Sequence, residues 1–76
     1  MDLYLVVDKD IHVEVFAFDS LDKAIEKFNN ILWETESSCI TNITQDRENM
    51  KFQCIGKGCN GDEFIFYIEK IKLNAI

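Results

Sequence analysis

HVEVFAFDSLDKAIEKFNNILW, residues 12–33, changes its apolar period in the middle, and that change decides the fold. From His12 to Phe18 the pattern has period two. Val13, Val15 and Ala17 point one way, and His12, Glu14, Phe16 and Phe18 the other, which predicts a strand. Asp19 and Ser20 break the alternation and supply a helix N-cap. Beyond them Leu21, Ala24, Ile25, Phe28, Ile31 and Leu32 recur at helical spacing, with Asp22, Lys23, Glu26, Lys27 and Asn30 opposite. A strand that runs directly into an amphipathic helix over about residues 20–33 is the frame for everything else.

Working outward, Leu3–Val7 is a short aliphatic run that ends at Asp8-Lys9-Asp10, so it pairs with His12–Phe18 as a hairpin. After a polar linker at Glu34–Ser38, Cys39–Thr44 reads as a third strand and Gln45–Asn49 as a turn. Met50–Ile55 alternates as a fourth strand, with Met50, Phe52 and Cys54 on one face. Gly56–Gly61 reads as a loop ending in the hairpin-turn pair Asn60-Gly61. Glu63–Lys72 is the fifth strand, with a bulge expected near Glu69-Lys70. The expected fold is α+β: a single domain over 1–76, order ββαβββ, with an antiparallel sheet of about five strands and one helix on one face. Leu21, Ala24, Ile25, Phe28 and Leu32 are expected to be buried against the sheet.

One helix covers one face of a sheet. Tyr4, Phe16, Phe18, Ile55, Ile65 and Tyr67 cannot all lie under it together with Leu3, Leu5, Val13, Val15, Phe52, Phe64 and Phe66. Either the sheet curls strongly or part of an apolar face is exposed, and an exposed face marks a protein contact or a homodimer.

Charge is segregated. The formal net charge is −6, and all of the excess lies in residues 1–36; acids and bases balance in residues 37–76. Such a surface repels phosphate, which argues against direct nucleic-acid binding, and it steers a basic partner. Solubility alone would also account for it. The three cysteines, Cys39, Cys54 and Cys59, form no CxxC pair and are expected to be free thiols in a cytoplasmic protein. No run of residues reaches membrane-spanning length.

Chemistry-bearing patterns are weak. Asp8, Asp10 and His12 alternate as DxDxH, but they fall where a hairpin turns and lack a fourth ligand, so no metal site is expected. His12 has no positioned partner for general-base work. Gly56-Lys57-Gly58 lacks the following Ser or Thr and the helix of a phosphate loop. No cofactor and no catalytic residues are expected. Trp33 falls beside Asp22, Glu26 and Asn29 on the polar side of the helix. It is either an exposed binding anchor or folded back, half-buried, over the linker.

In size, acidity and layout, with the strand-to-capped-helix segment Val15–Ala24, the chain resembles small accessory proteins of bacterial viruses of the anti-CRISPR and anti-defence type. That resemblance implies a non-enzymatic module that inhibits or regulates a larger, basic partner by occupying a nucleic-acid-binding or assembly surface. Its expected partner-binding residues are Asp8, Asp10, Glu14, Asp22, Glu26 and Trp33, acting in the host cytoplasm. The alternative is a small structural or assembly protein that dimerises through the uncovered sheet face.

Overall fold

The computed structural model describes residues 2–10, 12–58 and 61–72. Chain order is β1 (Asp2–Lys9), β2 (Val13–Phe18), α1 (Leu21–Glu34), a 3-10 turn (Ser37–Cys39), β3 (Ile40–Asp46), β4 (Lys51–Lys57) and β5 (Glu63–Lys72). The strands form one antiparallel sheet in the spatial order β2-β1-β5-β4-β3. The expected α+β fold, one sheet and one helix in the order ββαβββ, is therefore the observed one. Helix α1 connects the two edge strands, β2 and β3, by crossing one face of the sheet.

The helix begins because Ser20 is extended and its Oγ accepts the Lys23 amide at 3.2 Å, which satisfies one of the first-turn donors. It ends at Thr35. The Thr35 amide reaches the Ile31 and Leu32 carbonyls, both at 3.1 Å, and its hydroxyl donates to the Ile31 carbonyl at 2.8 Å. Ala24 and Phe28 are fully buried; Leu21, Ile25 and Leu32, which the pattern placed beside them, are half-buried at the helix flanks. Phe28 is the centre of the core. Its ring meets Phe66 at 5.1 Å and the edge of Phe52 at 6.2 Å, within the range of favourable aromatic pairs. Val6, Cys54 and Ile68 complete the cluster.

Strand alternation sorts the aromatics that crowded the sequence. Tyr4, Phe16, Phe18, Phe52, Phe64 and Phe66 face the helix. The register puts Leu3, Leu5, Val7, Val15, Ile65 and Tyr67 on the other face. With principal extents of 46 × 25 × 17 Å, the molecule is one sheet and one helix thick. Among the described residues no second layer covers that other face, and Val13 and Val15 are 65% and 55% exposed on it. The exposed-face alternative is the one realised.

Several sequence expectations shift. Pairing is continuous through Tyr4↔Lys70 and Leu5↔Glu69, so β5 has no bulge there. The irregularity lies in β3 between Ile40 and Asn42, where the Thr41 hydroxyl donates to the Ile55 carbonyl at 3.0 Å. Met50 belongs to the β3–β4 turn at φ 55, not to a strand, although its side chain still packs on the core. Gly56 lies within β4 rather than in a loop: a Cβ there would run into the Phe64 ring and the Cys39 carbonyl. The expected thiol at Cys59 and the first residue of the Asn60-Gly61 turn lie outside the described residues, while Gly61 has φ 87.

Candidate functional site

The β1–β2 hairpin brings three acids together. Asp8 lies opposite Glu14 in the register, and Asp10 closes the turn with its amide donating to the His12 carbonyl at 3.2 Å. Burial pushes the Asp8 carboxyl above its usual range, and the negative charges of Asp10 and Glu14 push it further, against the pull of Lys27. Lys27 itself sits 4.2 Å above the Phe16 ring, so its stem covers the β2 side of the core.

Helix α1 runs back from β2 toward this same end of the sheet and brings Glu34 and Glu36 with it. Asp8, Asp10, Glu34 and Glu36 line one recess of about 320 Å³, floored by Ile31, Phe64 and Phe66. The last turn of the helix carries no base. The negative end of the helix dipole therefore lies at a recess lined by four acidic residues with no compensating base in the last turn, the reverse of the arrangement that stabilises a helix terminus. Glu34 and Glu36 were not singled out in the sequence. The signal that could have found them is the base-free helix end, Trp33-Glu34-Thr35-Glu36.

Trp33, one residue before Glu34, is 90% exposed. At that exposure it is not half-buried under the linker, so that alternative does not hold. Trp33 forms one wall of a second, more apolar groove of about 630 Å³ between α1 and β3, with Leu32, Ile40 and Ile43. Thr35 lines both the acidic recess and the apolar groove, so the two meet at the helix C-cap.

The structure thus brings Asp8, Asp10, Glu14 and Trp33 to one end. Asp22 is elsewhere. It lies eleven residues before Trp33, about 16 Å along the helix, and is paired with Arg47 of the β3–β4 turn at 2.7 Å. Glu26 lies between the two ends and lines a shallow recess with Phe18 and Lys23 on the β2 side. Among the described residues, no three His, Cys, Asp or Glu side chains are grouped to hold a metal ion. None of their helices is long and apolar enough to cross a membrane. Cys54 is a buried free thiol whose pKa burial raises, opposite to what a nucleophile needs. The Cys39 thiol donates to a Glu36 carboxylate oxygen at 4.0 Å.

Comparison with protein-family models, with curated proteins and with solved structures finds no match for this chain.

Proposed function

We propose that this protein is a binding module that engages a larger, basic protein with the end of the molecule where α1 terminates. It would inhibit or regulate that partner in the manner of the phage anti-defence proteins the sequence resembles. One observation carries this reading: four acidic residues line the recess at the negative end of a helix dipole, next to a tryptophan that is 90% exposed. Both features cost the isolated protein something. Burial first, and then the charges of Asp10 and Glu14, push Asp8 toward its neutral form, and a bare indole leaves a large apolar surface in water. A lysine- or arginine-rich partner relieves both at once, because its cations neutralise the acids of the recess and its apolar atoms cover Trp33.

The binding set follows the geometry. Asp8, Asp10, Glu14 and Trp33 remain from the sequence, Glu34 and Glu36 join them, and Asp22, already paired with Arg47, moves to the periphery. The test is affinity capture from bacterial host lysate with immobilised wild type, a Trp33→Ala/Glu34→Lys/Glu36→Lys variant and a Glu48→Lys control. A basic protein retained by wild type and control, lost from the triple variant and eluted by salt supports the reading. Retention by all three proteins alike overturns it.

A further inference from the structure

We infer that the open face of the sheet is a homodimer interface, and that its occupant is a second copy of this chain packed face to face. The first argument is charge. Alternation and register place Lys9, Lys51 and Lys57 on this face, against Asp46, Glu63 and Glu69. Three bases balance three acids, so the whole formal charge of −6 falls outside this face. A highly acidic protein would ordinarily repel its own copy; here one broad surface is neutral, and two copies can meet on it with their acidic sides turned outward.

The second argument is the apolar content and its extent. Val7 is buried even on this uncovered side, between Val15 and Tyr67 in the neighbouring strands, with Leu5, Ile65 and Ile71 around them. At ~4.8 Å between strands and ~3.3 Å per residue, five strands of about eight residues on average project roughly 24 by 26 Å, about 600 Å². The accessible area of a side-chain surface exceeds its projection, which brings the face near the ~800 Å² per partner of a standard stable interface. Two sheets packed this way lie ~10 Å apart, with the apolar residues of β2, β1 and β5 forming the buried layer and the polar side chains of β3 and β4 (Asn42, Thr44, Asp46, Lys51, Gln53) forming its rim. A two-fold axis makes the contact self-complementary and closes it at two copies. Both helix sides stay free, so the dimer presents its two acidic ends as a bivalent unit, yet the dimer contact itself does not depend on what those ends bind.

The experiment is analytical ultracentrifugation of the full chain from micromolar to millimolar concentration, with circular dichroism confirming the fold of each variant. Val15→Lys charges an exposed position on the face, and Tyr67→Glu charges its centre, two strands from the β2 edge. Wild type is expected to be a dimer. Each substitution enters the interface twice through the two-fold and should weaken dimerisation about tenfold or more. Trp33→Ala should leave it unchanged. Should Tyr67→Glu lose its fold, Val15→Lys together with amide exchange along β2 replaces it, because face packing leaves the outer β2 amides exchanging as in the monomer. A wild type that stays monomeric at millimolar concentration overturns the inference. So does a dimer lost in Trp33→Ala, or one in which the outer β2 amides become protected, since that is pairing through the strand edge.

Discussion

Trp33, Asp8 and Gly56 each separate two roles that a side chain can have. Trp33 is so exposed that it contributes little to the fold. Trp33→Ala should therefore change the unfolding free energy by no more than about 0.5 kcal/mol, while raising the off-rate of a bound basic partner; denaturant titration and surface plasmon resonance read the two effects separately. Asp8 is the opposite case, a group whose ionised form works against folding. Its carboxyl is raised by burial and by Asp10 and Glu14. The cost is fully present above that raised value and vanishes as pH falls below the ordinary carboxylate value. Asp8→Asn should melt higher than wild type at neutral pH, with the difference closing in acid, when wild-type Asp8 is also neutral. Asp19 and Asp46, held low by Lys23 and by Asn49, have the opposite sign: their support is lost as pH falls. Gly56 is constrained by contact rather than charge. Gly56→Ala should destabilise by about 1–3 kcal/mol, because the new methyl would run into the Phe64 ring and the Cys39 backbone carbonyl, so one of them must shift.

Helix α1 is the element on which both stability and binding depend. Its buried stripe was legible in the sequence because Ala24 and Phe28 sit at the centre of a regular apolar period, and its start was legible because Ser20 is a capping residue. Phe28→Ala should cost about 3–5 kcal/mol, a large part of the stability of a domain this small, and chemical denaturation monitors it. Ser20→Ala should cost about 1 kcal/mol through the lost cap. Less legible was what the helix does at its far end. Local pattern places Trp33 on the polar side but does not say whether the following linker folds over it; the Thr35 cap and the 3-10 turn send the chain away toward β3 and leave the indole bare. The same limit applies to Gly56 and Met50. Alternation marks a strand, but the extra residue in β3 and the positive φ at Met50 arise from pairing between strands, which no short window contains. The acidic recess was half legible: the hairpin acids stand close in sequence, whereas Glu34 and Glu36 join them only through the crossover.

At the scale of the whole molecule, a sheet covered on one side separates two surfaces of different character. The open side is balanced in charge, and apolar chiefly across β2, β1 and β5, so the excess negative charge lies outside it. An encounter directed by that charge should slow as salt rises, because the screening length is about 8 Å at physiological ionic strength. Glu48→Lys is the appropriate control on the neutral half, since Asp46 accepts hydrogen bonds from the Asn49 amide and side chain within its turn. The most direct test of a binding end built from Trp33 and the helix-terminal acids is a chemical-shift titration of the isotope-labelled protein with an arginine- and leucine-containing peptide, at low and high salt. The account predicts that the Trp33 indole N–H and the amides of Asp8, Asp10, Glu34, Thr35 and Glu36 shift together, and that salt diminishes the shifts. Perturbations centred on the β3–β4 turn or the open sheet face, with Trp33 unmoved, would contradict it.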